Sequence, residues 1–363
     1  MKQFLASATG IALLVAIAPL KANAALFSQL YFFGDSLSDS GNLYQLTFNT
    51  IPQSPPYAQQ FSNGPLWVDY LAEDLGLEPL LLTEFLANPF TADTSDGINF
   101  AFGGAGTGPE NILAPDLPVG VLSQVSIFES FVSSSLLEPA EDALYIYLAG
   151  TNDLAGSDVT PPQLDISIPI ANTEAALEVL IEVGAQNILV SNLPDFSITP
   201  RFNVLPQAIT DAVSNQVSAY NQALSATIDE LALSNPDVNF TEFDFNGLLL
   251  ETVANPEEKD LTNVTDACLT DYTLPFDIDF GVCNSPENYL FWDDFHPTTY
   301  GYYLVTEAVS TELHEADMVV LLPESESVPE AESVPEPTVV WGMLALGFMA
   351  AGKKLHQRGV TPS

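Results

Sequence analysis

The sequence predicts an α/β protein in which a mostly parallel sheet is covered by helices on both faces. Short apolar runs alternate along the chain with stretches that have helical spacing, and this alternation is typical of such folds. Polar, glycine-containing stretches follow two of the apolar runs directly. Functional groups gather at the carboxyl ends of strands in parallel sheets, so a site is expected where these stretches meet.

Four apolar runs are predicted to be strands. The first ends at a glycine, the second runs into Gly-Thr-Asn-Asp, and the fourth alternates apolar and polar residues. They are LYFF (30–33), ALYIYLAG (143–150), NILVSNLPD (187–195) and VNFTEFDF (238–245).

Three stretches are predicted to be helices. Residues 171–184 have helical spacing and stop at Gly184, and residues 206–236 read as a long amphipathic helix that ends at Asn-Pro. The last helix is predicted to start near Pro297. No internal boundary divides the body of the chain, so we expect one domain over about residues 25–320.

The composition limits the classes of function. Of 363 residues, 47% are hydrophobic, which is enough for a sizeable core. Only 7 basic residues stand against 48 acidic ones, a formal charge of −41. Such a surface repels phosphate backbones and excludes nucleic-acid binding. Solubility in a saline habitat accounts for the acidity; cation binding would need clustered carboxylates, and no calcium-type loop is present.

The N-terminus predicts export. Lys2 precedes a long apolar run, and Ala-Asn-Ala at residues 22–24 fits a signal-peptide cleavage site, so the signal peptide is expected to span residues 1–24. A buried helix is the alternative. Cys268 and Cys283 are the only cysteines, and they fit an exported protein with one disulfide that closes a short loop.

The C-terminus carries a second sorting pattern. A Pro-, Ser- and Glu-rich linker (321–337) is followed by a tail (338–363) made of a fifteen-residue apolar run and a basic cluster. This arrangement resembles the PEP-CTERM sorting tail, and the resemblance implies a membrane protease that removes the apolar helix. The apolar run is short for a spanning helix. A plain C-terminal membrane anchor is the alternative.

One histidine is placed to act as a base. His356 lies in the basic tail and His314 at a polar helix end, but His296 follows Asp293 by three residues in FWDDFHPTTYG. A catalytic histidine needs an orienting carboxylate, and Asp-x-x-His supplies one within a single turn. The neighbouring Asp294 is expected to point away from that edge of the imidazole. Taken alone, the motif also fits a structural histidine.

A nucleophile and oxyanion donors are available elsewhere. Ser36 leaves the first predicted strand in a turn that is expected to open a helix, whose N–H groups favour negative charge. Asn152 in GTND offers a side-chain amide, and the glycine-rich loop 97–108 could supply another backbone N–H. That loop lacks the context of a dinucleotide site and the lysine of a P-loop, so nucleotides are set aside.

These segments together resemble the GDSL family of SGNH hydrolases. Ser36 in GDSLSDSGN, Gly103 in NFAFGGAG, Asn152 in GTND, and Asp293 with His296 in DDFHP match its four blocks in order. The resemblance covers nearly the whole body, and PLWVDYLAEDLG (65–76) is similar to the family's helix after the nucleophile loop.

The resemblance implies a flavodoxin-like three-layer α/β/α sandwich and ester hydrolysis without metal or cofactor. Ser36 is expected to attack the ester, with His296 as base and Asp293 as its orienting carboxylate. The N–H groups of Ser36 and Gly103 and the amide of Asn152 are expected to hold the oxyanion; Gly104 is the alternative to Gly103.

The expected substrate is a small-molecule or lipid ester, and the expected location is the periplasm, cell surface or extracellular space. Anchoring by the C-terminal helix would be transient, with a sorting protease as a partner. Two other readings stay open: a carbohydrate O-deacetylase acting on extracellular polysaccharide, and a catalytically silent surface or matrix protein. Acyl-chain preference depends on loops whose shape the sequence does not predict.

Overall fold

The part of the chain that the structure describes holds most of the predicted hydrolase domain. The computed structural model describes residues 27–156, 165–272 and 279–316. The predicted signal peptide, linker and sorting tail lie outside these residues. Within them, no helix is both long and apolar enough to cross a membrane.

Strands and helices alternate along the described chain. The strands are β1 (Leu30–Gly34), β2 (Leu80–Leu81), β3 (Gly97–Asn99), β4 (Leu144–Leu148), β5 (Asn187–Ser191), β6 (Asn239–Phe243), β7 (Asn263–Ala267), β8 (Leu269–Thr270), β9 (Gly281–Val282) and β10 (Tyr289–Phe291). The α-helices are α1 (Asn42–Leu46), α2 (Trp67–Leu75), α3 (Leu82–Ala87), α4 (Val121–Ser133), α5 (Thr151–Ala155), α6 (Ser167–Glu182), α7 (Pro200–Asn203), α8 (Gln207–Ser234), α9 (Phe245–Ala254) and α10 (Thr299–Glu315).

A six-stranded parallel sheet forms the centre, in the order β2-β3-β1-β4-β5-β6. Without the short edge strand β2, this is the order of a flavodoxin-like sheet, in which the chain reverses its direction of winding between the first and third strands. Here that switch point lies between β1 and β4. On one side α4 packs against α6 and α6 against α8; elsewhere α2 packs against α10. The predicted three-layer α/β/α fold is confirmed.

The side chains of β1 show why this sheet needs helices on both faces. Phe32 meets Trp67 of α2 edge-on at 6.4 Å between ring centroids, whereas Phe33 meets Phe128 of α4 at 5.6 Å. Successive side chains of a strand point to opposite faces, so both rings are buried only if both faces are covered. Burying each such ring stabilises the fold by about 2 kcal/mol. An unbroken apolar run such as LYFF is therefore typical of a central parallel strand.

The predicted strands and long helices are confirmed with small shifts at their ends. β4, β5 and β6 fall within their apolar runs, and β1 extends one residue beyond its run to Gly34. Gly184, with φ +100°, follows α6 as predicted. The buried positions of α8 recur every three or four residues, as its amphipathic pattern requires. α10 begins two residues after Pro297, where the Thr298 side chain accepts from the N–H of Gly301.

One local prediction is wrong, because Ser36 does not open a helix. Residues 35–38 form a turn closed by a hydrogen bond from Ser38 N–H to the Asp35 carbonyl, and α1 begins only at Asn42. The cause is Asp39, whose carboxylate accepts from the first N–H groups of α1 and so fixes the start of that helix downstream of the serine.

Two small sheets lie outside the central one. β7 pairs in parallel with β10, and β8 pairs antiparallel with β9. The predicted disulfide is present: Cys268 and Cys283 are joined across the β8–β9 hairpin. β10 leads directly into the Asp-x-x-His turn, so these small sheets determine where that turn sits.

Candidate active site

The predicted nucleophile lies at the switch point of the sheet. The chain leaves β1 at Gly34, where a Cβ atom would approach the carbonyl oxygen of Leu148 to 2.5 Å. Only glycine allows β1 and β4 to pair this closely at their carboxyl ends. The turn that carries Ser36 therefore begins beside GTND, which opens α5 after β4, and beside the loop that follows β3.

Ser36, His296 and Asp293 form one hydrogen-bonded chain, although 260 residues separate the serine from the histidine. The Ser36 Oγ atom lies 2.8 Å from Nε2 of His296, and Nδ1 of the same ring lies 2.8 Å from Oδ2 of Asp293. An ionised carboxylate only accepts hydrogen bonds, so Nδ1 carries the proton and Nε2 is left to accept from the serine hydroxyl. This is the geometry of a serine nucleophile with an oriented base.

The Asp293 carboxylate accepts four hydrogen bonds. Oδ1 takes the backbone N–H groups of Phe295 and His296 at 2.8 and 2.6 Å, and Oδ2 takes the Tyr57 hydroxyl at 2.7 Å besides the imidazole. Burial alone would raise the pKa of this carboxyl, but the facing imidazole and these hydrogen bonds outweigh it and hold the pKa below its ordinary value. Asp293 is therefore ionised at neutral pH.

Asp294 points away from the imidazole, as predicted. Its carboxylate pairs with the Arg201 guanidinium through two hydrogen bonds of 2.9 and 3.1 Å, and the Arg201 N–H donates to the Asp294 carbonyl. The guanidinium also lies 4.9 Å from the centre of the Phe295 ring. The turn between the two catalytic candidates is thus held by α7 from one side.

Gly103 does not present its N–H to the serine. That N–H donates to Oδ2 of Asp39 at 2.7 Å. A side chain at Gly103 would approach the ring of Phe61 to 2.3 Å, so this glycine makes room for packing. The next residue, Gly104, has φ +80°, and within the described part of the chain neither its N–H nor that of Ser36 donates to a protein acceptor. Both N–H groups are therefore left to bind a ligand.

Asn152 lies next to the same loop. Its Nδ2 atom donates to the carbonyl of Ala105 at 2.9 Å, which leaves its second amide hydrogen for another acceptor. The neighbouring Asp153 accepts from the N–H and hydroxyl of Thr107, both at 2.8 Å. GTND therefore binds the loop that carries Gly104 at two points, which fixes the amide close to that residue.

Asp39 ties the nucleophile loop to the glycine loop, a role that the sequence did not reveal. It is buried and accepts four backbone N–H groups, from Gly41, Asn42, Leu43 and Gly103. Burial raises the pKa of this carboxyl to about 6 against the effect of these donors. No local pattern in GDSLSDSGN distinguishes Asp39 from Asp35, because the partner Gly103 lies 64 residues away.

Asp35 is the less well satisfied of the two buried carboxyls. Its Oδ1 accepts from the N–H of Leu37, but its Oδ2 accepts no hydrogen bond within 3.5 Å from the described residues. Burial raises the pKa of Asp35 to about 7. Of the other serines in this loop, Ser40 donates to Asp69 at 2.5 Å, and the buried Ser38 hydroxyl makes no hydrogen bond to any residue that the structure describes.

The disulfide hairpin runs beside the strand that leads to the base. The N–H of Cys268 donates to the carbonyl of Phe291, and the N–H of Leu269 donates to that of Trp292, the residue before Asp293. These bonds place the hairpin where it can brace the Asp-x-x-His turn. His314 lies far along α10 and His356 lies outside the described residues. Among the described residues, no cluster of three or more His, Cys, Asp or Glu could hold a metal ion.

Comparison with known proteins identifies the family of the chain. The family model described as GDSL-like Lipase/Acylhydrolase matches residues 30–309. The chain belongs to this family. A GDSL esterase/lipase of Arabidopsis thaliana is 28% identical over 310 residues, covering 78% of this chain and 88% of its own length. Acetylajmalan esterase 2 of Rauvolfia serpentina is 27% identical, covering 75% of this chain and 86% of its own length.

Among solved structures, a member of the lipolytic protein G-D-S-L family from Veillonella parvula matches with a TM-score of 0.40 at 12% identity. The match covers 79% of this chain and 96% of that one. Family membership and the esterase relatives show that the chain is a serine hydrolase acting on ester bonds.

Proposed function

We propose that Ser36, His296 and Asp293 are the catalytic residues of an exported carboxylic-ester hydrolase that works through an acyl-enzyme. The observation that carries the proposal is the continuous hydrogen-bonded chain from the Ser36 hydroxyl through the imidazole to Asp293. A serine beside a neutral, oriented imidazole is an activated nucleophile, whereas an isolated serine is a weak one.

The reaction proceeds in two halves. Ser36 Oγ attacks the ester carbonyl while Nε2 of His296 takes its proton, and Asp293 stabilises the imidazolium that forms. The imidazolium then gives this proton to the departing alcohol, leaving an acyl group on Ser36. Water attacks the acyl carbonyl with His296 again as base, and the acid leaves as the serine regains its proton.

The developing oxyanion is held by the N–H groups of Ser36 and Gly104 and by the Asn152 amide. This assignment replaces Gly103 with Gly104, because Gly103 already donates to Asp39 while the Gly104 N–H donates to none of the described residues. Donors held rigidly before the reaction act strongly on such charge, and one side-chain amide is worth about 3 kcal/mol.

The test compares two serines of the same turn. Ser36→Ala is expected to lower kcat on a short-chain aryl ester at least about 10⁴-fold, because it removes the nucleophile. Ser38→Ala is the matched control: this hydroxyl is also buried and lacks a hydrogen-bond partner within the described part of the chain, so the change should leave kcat within about twofold. Equal rates for wild type and Ser36→Ala would refute the proposal. An inactive wild type whose Ser36 fails to react with an organophosphonate would favour the silent surface protein.

For the acyl group and the alcohol of the substrate, we propose only chemical classes. A lipid or other small-molecule ester is the first choice, and a carbohydrate O-acetyl ester is the alternative. The similarity to a relative named as an acetylajmalan esterase supports the acetyl group of this alternative, and the carbohydrate alcohol is proposed from the predicted export alone. Acetate release from acetylated polysaccharide, without activity on longer fatty esters, would select the deacetylase.

Export, sorting and the division into domains are proposed from the sequence. A signal peptide over residues 1–24, a hydrolase domain over 25–320, a linker over 321–337 and a cleavable tail over 338–363 support passage to the cell surface or beyond. The intact mass of the mature protein is the measurement that decides. A chain starting near residue 25 and lacking the basic end fits processing; an unprocessed mass contradicts it.

A further inference from the structure

Tyr57 contacts the carboxylate of the catalytic chain from a segment that the mechanism above does not use. Its hydroxyl donates to Oδ2 of Asp293 at 2.7 Å, across 236 residues of sequence, and both side chains are buried. Oδ2 is the same oxygen that receives Nδ1 of His296. Two donors therefore share one oxygen atom, one from the base and one from the phenol.

The segment around Tyr57 makes further contacts with the Asp-x-x-His turn. Phe61 stacks on the imidazole of His296 with ring centroids 4.9 Å apart and planes 30° apart. The Ser62 hydroxyl donates to the carbonyl of Pro297 at 2.9 Å. We name residues 57–63 the clamp segment. It covers one face of the base and fixes one oxygen of its carboxylate, so the contact at Tyr57 belongs to a larger arrangement.

The Tyr57 hydroxyl keeps its proton at neutral pH. Burial and the neighbouring Asp293 carboxylate raise the pKa of the Tyr57 hydroxyl well above its ordinary range. Tyr57 is therefore a donor throughout, and it cannot serve as a base. Its ring is held in place by edge contacts with Phe61 and Tyr272 at 6.0 and 5.4 Å.

We propose that Tyr57 is a positioning residue that sets the direction of the Asp293 carboxylate and moderates its pull on the imidazolium. The inference rests on the proposed roles of Ser36, His296 and Asp293. A second donor on Oδ2 spreads the negative charge of that oxygen, so the imidazolium is held firmly in orientation but releases its proton to the leaving alcohol more readily.

The direct test is Tyr57→Phe, which keeps the ring and removes only the hydroxyl. Without the second donor, Oδ2 pairs more strongly with the imidazolium. We expect kcat to fall about tenfold with KM within about twofold, because geometry and proton release change while ester binding does not. The acid limb of the pH profile of kcat/KM should move to higher pH by roughly half a unit.

Tyr31→Phe is the matched control. The Tyr31 hydroxyl is also buried and makes one hydrogen bond, to Gln29 at 3.1 Å, at the opposite end of β1 from Ser36. Removing it should lower the melting temperature as much as Tyr57→Phe does, yet leave kcat and the acid limb unchanged. If Tyr57→Phe changes only the melting temperature, Tyr57 is merely structural and the proposal is overturned.

A readout that needs no turnover separates this inference from the proposed function. In the Ser36→Ala background, the NMR signal of the proton between His296 Nδ1 and Asp293 Oδ2 should move to lower field when Tyr57→Phe is added, because that hydrogen bond strengthens. An unmoved signal contradicts the proposal even if no ester is ever hydrolysed.

A second variant serves if Tyr57→Phe fails to fold. A fluorotyrosine at position 57 keeps the shape of the side chain and donates more strongly, so the acid limb of the pH profile of kcat/KM should move to lower pH. An acid limb that does not move, or that moves to higher pH, overturns the proposal.

Discussion

The two halves of the candidate site are held by different kinds of structure. The nucleophile half lies on the central sheet: Ser36 follows β1, and the loop with Gly104 follows β3. Its anchors are mostly backbone groups, above all the four N–H donors gathered by the buried Asp39. Moving any part of this half would disturb the strands and the start of α1.

The base half lies outside the central sheet. Asp293 and His296 follow β10, which pairs only with β7 among the described strands. This half is positioned largely by side chains from distant segments: Tyr57 on the carboxylate, Phe61 on the imidazole, and Arg201 on the neighbouring Asp294. The disulfide hairpin adds backbone bonds to the strand before it.

The difference implies that stability and activity are coupled in one half and separable in the other. Anchors of the nucleophile half support both the fold and the proposed oxyanion donors, so a change there should reduce both stability and activity. Anchors of the base half orient a turn outside the central sheet, so a change there should reduce activity while most of the unfolding free energy remains.

The largest expected effect is that of Asp293→Asn in the base half. An amide keeps an acceptor for the N–H groups of Phe295 and His296, but its NH₂ group faces Nδ1 and forces the imidazole into the other tautomer. We expect kcat/KM to fall about 10⁴-fold, as loss of the carboxylate does in serine hydrolases of this design. The unfolding free energy, measured in urea, should change by only about 1 kcal/mol, since the polar atoms still find partners.

Asp39→Asn is the corresponding change in the nucleophile half, with a smaller effect on rate and a larger one on stability. The amide presents donors where backbone N–H groups need an acceptor, which leaves buried N–H groups unsatisfied at a cost of about 3 kcal/mol. Release of Gly103 should displace Gly104 and lower kcat by roughly 10²-fold. Urea unfolding and kcat should be measured on the same preparation. A stable Asp39→Asn, or an Asp293→Asn that unfolds as easily, would break the contrast between the halves.

The sequence predicted the parts of the molecule whose causes are local. The strand LYFF, the helices with three-to-four-residue spacing, and the Asp-x-x-His turn each follow from residues within one or two turns of chain. The choice between Gly103 and Gly104 could not be made, because the direction of the Gly103 N–H depends on Asp39, 64 residues earlier.

Two further features could not be predicted from local sequence patterns. Tyr57 could not be found, because nothing near it in sequence marks a partner 236 residues later. The sequence predicts a glycine-rich loop where the structure has β3, since three residues are too few to show a periodicity. In each case the missing information is a contact between distant segments.

The smallest expected effect is a change of stability with pH. It distinguishes the two halves because the pKa shifts of their buried carboxyls have opposite signs. Burial raises the pKa of Asp35 in the nucleophile half from 3.8 to about 7, whereas the pKa of Asp293 in the base half is lowered. A carboxyl with a raised pKa binds a proton in the folded state that it lacks when unfolded. Its contribution to stability is complete below pH 3.8 and is lost as the pH rises through about 7. The contribution of Asp293 to stability is lost only as the pH falls below the ordinary carboxyl range.

Stability should therefore rise by about 2 kcal/mol from Asp35 alone when the pH falls from 7 to 5. Relief of the repulsion within a chain of net charge −41 acts in the same direction, so the test is a comparison of two proteins. Urea unfolding at both pH values should show a smaller rise for Asp35→Asn than for wild type, because the amide does not titrate while the general repulsion is nearly unchanged. Equal rises would mean that Asp35 carries its charge in the folded protein at both pH values, and that both halves hold their carboxylates ionised.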